Sequence, residues 1–439
     1  MEIAMLKCAF YEREITPPLG CAIPGYSNLR PGSDVKDRLM VKACVVSDGK
    51  ETVALIALDA LRILNRVRNA IAARVSKFTG IPESNVLVAA IHTHTGIPDA
   101  NLSKNPEAAE NQGEYFDFFQ KVVADCAILA YNRLEDSELS FGIGNVEGIS
   151  FCRDYIMKNS TPRTNPGRLN PDIVGPAAPI DTELPVLFVK DAQGNPKGAV
   201  ICFACHLDCV DGTEYSGDFA SELSNQLKKL YGNDFVSVFF MGTSGDINHF
   251  NVNTAGDAPD HYRKMGKKIA GEALRVISFA DPVEGDSVKC KYEILKINRA
   301  YISEEAIANA KHIVETVKEA KGVKVAADNT DPDQYNLMMA KKLLNFLNDP
   351  EVFDVPVHFV QIGNVKIYGF PSEIFCHFGL SVKERCNCDT RMVLSYCNGA
   401  YGYVPTRDMF YETVYESSSC RLDHEAGYIM ADKLVEMGK

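Results

Sequence analysis

Two histidines one residue apart, His92 and His94, close the apolar run in VLVAAIHTHTG. Other apolar runs end in the same manner. His206 follows GAVICFA, Asp246 lies in GTSGDIN after FVSVFFM, and Glu373 lies in PSE after VKIYGF. Tyr401 and Tyr403 lie in NGAYGYV after MVLSYC. Each residue type can bind a metal or move a proton. Two imidazoles and a carboxylate, with one position left open for water, make the donor set of a catalytic zinc site. Singly, each has a plainer reading. His206 could be a hydrogen-bonded core histidine, Glu373 a first-turn acid favoured by a helix dipole, Asp246 a turn or cap residue, and Tyr403 a core residue. The recurrence of such residues at the ends of five apolar runs is what points to a site.

The runs that would position them read as strands separated by helices. TVALIAL (52–58), NVLVAAI (85–91), LPVLFV (184–189), GAVICFA (198–204), FVSVFFM (235–241), VKIYGF (365–370) and MVLSYC (392–397) are strand candidates, and DAQGNPKG is a hairpin signal between two of them. Helical spacing runs over 65–78, much of 105–134, 216–232 with Ser216 as N-cap, and about 260–278. Residues 159–182 form a Pro/Asn/Gly-rich loop of the length that usually carries function or disorder. The charged helical stretch 303–348 reads as a peripheral insertion. The whole reads as one large α/β domain of mixed strands with helices outside. In such folds ligands gather beyond the carboxyl ends of strands. An extended segment also puts His92 and His94 on one side.

Composition narrows the function classes. The 439 residues are 46% hydrophobic and carry a formal net charge of -12, with no Lys/Arg cluster to form a basic face, which argues against nucleic acid. MEIAMLKCAFYEREITPP lacks the pattern of a secretory signal, and no apolar run approaches the ~18 residues of a membrane span. The reading is a cytoplasmic chain acting on a small-molecule substrate, with homo-oligomerisation left open. Fourteen cysteines then read as reduced, mostly buried thiols. Cys202 and Cys205 lie three apart in a strand and point to opposite faces, which makes a zinc clamp there improbable. Arg153, Arg163 and Arg168 fall in the loop 151–182; they suit an anionic or polyhydroxylated ligand, or, for the last two, are solvated charges.

Taken together, the motifs resemble the neutral/alkaline non-lysosomal ceramidase family. EITPPLG and IPGYS look like its N-terminal signature, IHTHTG like its first histidine motif, and FACHLDCVDG with YSGDFASEL like its second. GTSGDIN, FPSEIF and GYVPTRDMFYETVYES match its aspartate, glutamate and tyrosine blocks, the last with a spacing of twelve from Tyr403 to Tyr415. The likeness spans roughly residues 10–425. It implies an α/β fold of four-layer αββα type, two mixed central sheets flanked by helices in one large domain. It also implies Zn2+ held by His92, His206, Glu373 and Tyr403. His94 falls on a histidine facing the substrate's polar head, Arg153 and Tyr415 on residues near the scissile amide, and Gly25 near the head-group end of the pocket. Asp246 and Asp218 fall on aspartates that orient the site.

There are departures from the family pattern. A serine of the family is replaced by Asn248, which can still donate a hydrogen bond. His249 follows, where the family has no histidine; it stands for a substrate contact or a second metal. The C-terminal β-sandwich domain of the ceramidases is not expected here. The activity implied is therefore zinc-dependent hydrolysis of a carbon–nitrogen bond, an amidohydrolase using metal-activated water on a small soluble substrate rather than ceramide. An esterase or lactonase on the same site and a non-catalytic binding protein are the alternatives, with a cysteine-based redox protein behind them.

Overall fold

Thr52–Leu58 is apolar at nearly every position and has no wet face to offer, so it is stable only when covered on both sides; it is buried from Val53 to Leu58. The computed structural model describes residues 6–26, 28–99, 106–320, 331–412 and 414–439, without the side chains of 106–112. Position 105 and residues 321–330 of the helical readings lie outside that description.

The larger sheet is built from β1 (Lys7–Glu14), β2 (Met40–Ser47), β3 (Thr52–Leu58), β4 (Val86–Ala90), β5 (Glu135–Asn145), β6 (Glu183–Asp191), β7 (Pro196–Phe203) and β8 (Val236–Met241), in the order β8-β7-β6-β5-β1-β2-β3-β4. The short strand Asp281–Pro282 also pairs with β5. The smaller sheet is β9 (Val288–Asn298), β10 (Val352–Ile362), β11 (Val365–Gly369) and β12 (Arg391–Leu394), in that order. Both are mixed. β3–β4, β7–β8 and β11–β12 run parallel, and the other ladders run antiparallel.

One core joins the two sheets. Val360, Ile362, Val365, Ile367, Met392 and Leu394 of the smaller sheet pack with the interior of the larger one. Helices α1 (Asn65–Thr79), α2 (Pro106–Tyr131), α3 (Asp218–Tyr231) and α4 (His261–Phe279) belong to this core through residues such as Ile71, Val123, Phe219 and Ile269. Two further helices, α5 (Glu304–Thr316) and α6 (Pro332–Phe346), pack on each other. On the far side, α7 (Cys376–Arg385) and α8 (Ala426–Met437) form a second core with Phe359, Tyr368 and Val393. The layers run helices, sheet, sheet, helices: a single α/β domain of the four-layer type.

Several local expectations are refined. Ser216 Oγ accepts the Asp218 amide at 3.0 Å, although Gly217 occupies the cap position itself. The loop 159–182 is not structureless. Its segments Pro162–Thr164 and Ile173–Pro176 flank Asp154–Met157 in a three-stranded sheet. All fourteen cysteines are unpaired, and most are buried.

Candidate metal centre

The three parallel strand pairs send their carboxyl ends to one rim. His92 follows β4, His206 follows β7, Glu373 follows β11 and Tyr396 follows β12. Cross-links hold the rim together: Thr93 bridges Leu207, Ala89 bridges Cys397, and the Ser395 amide donates to the Met241 carbonyl at 2.9 Å. Glu373 and Tyr403 are direct partners in a short parallel ladder.

The imidazoles of His92, His94 and His206 are buried, and each offers a nitrogen within 4.8 Å of the others. They do not converge by strand alternation. β4 ends at Ala90, and His92 has φ of 67°, in the left-handed region that costs a non-glycine residue free energy. Asp218 and Tyr396, also at the rim, have φ of 54° and 51°.

Hydrogen bonding fixes the imidazole tautomers. His92 Nδ1 lies 2.8 Å from the Leu61 carbonyl, and His206 Nδ1 lies 2.8 Å from the Ile247 carbonyl. A carbonyl only accepts, so both Nδ1 atoms carry a proton, and in a neutral ring Nε2 then presents the lone pair. Those lone pairs face one carboxylate oxygen: Glu373 Oε1 is 3.1 Å from His92 Nε2 and 2.8 Å from His206 Nε2. Three acceptors around one point repel each other unless a cation or a proton sits among them. Burial alone would raise the Glu373 pKa, but a proton on His92 or His206, shared with Oε1, outweighs it and holds the carboxyl well below its usual range. Burial, with help from Arg153, holds His206 down to about 4. Where a cation takes that place, two imidazole nitrogens and a carboxylate oxygen are a donor set that fits a divalent metal.

Other expected residues surround this group. The Arg153 guanidinium lies 5.0 Å from the Tyr403 ring centre and 5.9 Å from that of Tyr415, with Nη1 3.5 Å from His206 Nε2. Tyr403 and Tyr415 pack edge to face at 5.6 Å. Burial raises the pKa of both phenols, Tyr415 to about 12, so both keep their protons. Among the described residues His94 has no hydrogen-bond partner at either ring nitrogen, and burial holds its pKa well below normal. Gly25 lies against it. With φ of 110°, Gly25 has no room for a side chain, because a Cβ would stand 2.8 Å from His94 Nδ1.

Several expected residues lie outside this ring. Asp246 Oδ1 accepts the Cys376 amide at 2.7 Å, so it braces the start of α7 behind Glu373. Asp218 accepts the amides of Cys209 and Val210 at 2.8 and 2.9 Å and fixes the turn after His206. Asn248 Nδ2 donates to Asn165 Oδ1 at 2.9 Å, which ties the rim to the 159–182 loop. Arg168 is clasped by Asp257, by the Asn251 carbonyl at 2.8 Å and by Thr254 Oγ1 at 2.7 Å; it does not face the histidines. His249 turns away toward His261. Arg163 instead lines a cavity of about 370 Å3 with Thr164, Tyr335 and Tyr415. Tyr401 packs on Phe353 and hydrogen-bonds Asn65 and the Asp354 carbonyl.

Three residues at the site carried no clear signal in the sequence. Tyr396 donates to Glu373 Oε2 at 2.6 Å and stacks on His92 with ring centres 4.6 Å apart. It lies near the end of the MVLSYC run, ahead of the Tyr401 and Tyr403 pair. Glu416, fully buried, pairs with Arg153 and accepts from Thr164 at 2.8 Å. Lys342, on α6 in the stretch read as peripheral, lies 5.1 Å from the Tyr415 ring centre.

Comparison with known proteins places this geometry. No curated protein matches the sequence. The crystal structure of neutral ceramidase from Pseudomonas aeruginosa is similar over 100% of this chain and 74% of its own, at 19% identity and a TM-score of 0.76. A ceramidase complexed with C2 is similar over 99% of this chain and 75% of its own, at 18% identity and the same TM-score, 0.76. At such identities the likeness is one of fold. The family model for the N-terminal region of neutral/alkaline non-lysosomal ceramidases matches residues 12–255, more than half of the chain, and this protein therefore belongs to that family of hydrolases.

Proposed function

We propose that the protein is a zinc-dependent amidohydrolase that cleaves a carbon–nitrogen bond in a small, polar substrate. The observation that carries this reading is the pair of imidazole Nε2 atoms converging on Glu373 Oε1, 3.1 and 2.8 Å away, an arrangement that a divalent cation would stabilise. His92, His206, Glu373 and Tyr403 are the proposed ligands. When bound, the cation would supply Lewis acidity and lower the pKa of water toward ~7.

The surrounding residues divide the remaining work. Arg153, held by the buried Glu416, and the protonated Tyr415 are donors for a carbonyl oxygen that gains charge. His94, its ring nitrogens free of hydrogen bonds and Asp208 Oδ1 3.5 Å from Nδ1, binds a substrate hydroxyl or passes a proton to the leaving amine. Arg163, Tyr335 and Tyr415 in the adjoining cavity, with Lys342 beside Tyr415, favour a polar or anionic group over a long acyl chain. Gly25 packs against His94, where a Cβ would stand 2.8 Å from Nδ1, and so holds that ring in place.

The test begins with metal analysis of the purified protein, followed by His92→Ala and Glu373→Gln. Each variant is expected to lose the bound zinc and to hydrolyse a panel of N-acyl amino acids and short-chain amides at least ~100-fold more slowly. Full zinc occupancy in both variants would reject the ligand assignment. Zinc without turnover of any amide, ester or lactone would reject the catalytic one.

A further inference from the structure

Away from the His92 group, the described residues hold one more cluster with ligand spacing. Cys209, His249 and His261 each offer a ligand atom within 4.8 Å of the others. They come from three separate places: the turn after β7, the segment after Asn248, and the first residue of α4. Nothing local in the chain requires them to meet.

The hydrogen bonding around them is incomplete in a particular way. His249 Nε2 lies 3.0 Å from the Asp208 carbonyl, which puts the proton on Nε2 and leaves a lone pair on Nδ1. That Nδ1 is buried and has no hydrogen-bond partner, and the same holds for His261 Nε2. Two buried ring nitrogens without hydrogen bonds, on rings whose centres are 5.3 Å apart, carry a desolvation penalty. Cys209 Sγ touches Met265 Sδ at 3.3 Å, so a soft sulfur wall closes one side. On the other side Asp257 Oδ2 stands 3.9 Å from His249 Nδ1, with Arg168 keeping the carboxylate in place. Burial lowers the pKa of both histidines, His249 to about 4, which keeps them in the form that binds metal; it raises that of the Cys209 thiol, which gives up its proton only as a cation binds.

We propose that Cys209, His249 and His261, with Asp257 as a carboxylate fourth ligand, form a second metal site for a borderline-soft cation of the zinc class. Nitrogen and thiolate donors sit roughly 2.0–2.3 Å from zinc, so tetrahedral ligand atoms stand about 3.3–3.8 Å apart. The present spacing closes to that with side-chain shifts of about an ångström. Cys209 gives its thiol proton to solvent on binding. Cys209 is three residues beyond His206, so a cation here would pin the turn that aims His206. The proposal does not depend on the first site: it rests on different residues, and only it contains a thiol.

That difference supplies the test. Protein stripped by a chelator is titrated with Co2+ alone, and thiolate-to-cobalt charge-transfer absorption is followed in the near ultraviolet. The His92 group has no sulfur ligand and contributes nothing to that band. The band is expected in the wild type and in His92→Ala, and is expected to vanish in Cys209→Ser. In His261→Gln the apparent Co2+ affinity for the band is expected to fall roughly tenfold or more. Circular dichroism of the stripped variants controls for folding. If Cys209→Ser does not fold, His249→Gln takes its place, with the same tenfold weakening expected. Absence of the band in wild type at saturating Co2+, or a band of undiminished size in Cys209→Ser, would overturn the proposal, as would unchanged affinity in the histidine variants.

Discussion

Tyr396 makes two contacts that different substitutions can separate. Its hydroxyl fixes Glu373 Oε2 at 2.6 Å, and its ring stacks on His92. Tyr396→Phe removes the first and keeps the second. Outer hydrogen bonds of this kind orient a ligand and are worth about 10–100-fold in metal affinity. The variant is expected to fold normally and to lose zinc to a competing chelator about 10–100 times more readily. Unchanged affinity would show that the His92 and His206 contacts alone hold the carboxylate in place. At this scale the sequence was informative where a residue's chemistry was conspicuous: His92, His94, His206 and Glu373 do meet. It was silent on Tyr396 and Glu416, because a tyrosine in a left-handed turn and a carboxylate buried against Arg153 look like any other aromatic and acid until the chain has folded. It misled at Arg168, whose partners are Asp257 and two loop residues, and at Tyr401, whose hydroxyl is engaged by Asn65 and Asp354.

The elements that carry the rim were legible where apolar runs were continuous, as in β3, β4, β7 and β8. They were not legible where burial alternates: β9 keeps most of its positions at least partly exposed and reads as a mixed Lys/Glu segment. Helix contacts were invisible altogether, and one of them matters for the site. α3 opens with Asp218, which holds the Cys209 and Val210 amides, and α4 crosses α3 at Gly266. A Cβ at Gly266 would stand 2.6 Å from the Phe219 carbonyl and 2.6 Å from Glu222 Cβ. The first of these is backbone and cannot rotate aside. Gly266→Ala gains about 1 kcal/mol of helix propensity but overpacks the crossing at a cost of about 1–3 kcal/mol. Because the obstruction is backbone, the second effect should dominate and lower the midpoint of thermal unfolding. A raised midpoint would mean that α4 moves away from α3 freely.

The two sheets share more than an apolar core. β4 is the edge strand of the larger sheet, and Asn398 covers it from the segment following β12: Val88 N donates to Asn398 Oδ1 at 2.9 Å, and Asn398 N donates to the Val88 carbonyl at 2.7 Å. With its oxygen so engaged, Asn398 presents Nδ2 to His358 Nδ1 at 2.8 Å, and His358 Nε2 faces Cys290 Sγ at 2.9 Å. His358 must therefore accept at Nδ1, and a proton there would oppose the Asn398 amide. Burial, and then Arg68, push its pKa down to about 3. In the unfolded chain it titrates near 6.5. Between those values the unfolded state holds the extra proton, so stability falls as pH falls through that window and is unaffected above it. The slope due to this one residue approaches about 1.4 kcal/mol per pH unit. His358→Gln keeps an acceptor for Asn398 and cannot titrate. Urea unfolding of wild type and variant from pH 7 to 5 should therefore give curves that converge on acidification, with the wild type the steeper. Parallel curves would mean that His358 takes up its proton in the folded protein, and that the contact between the sheets loosens well before the chain unfolds.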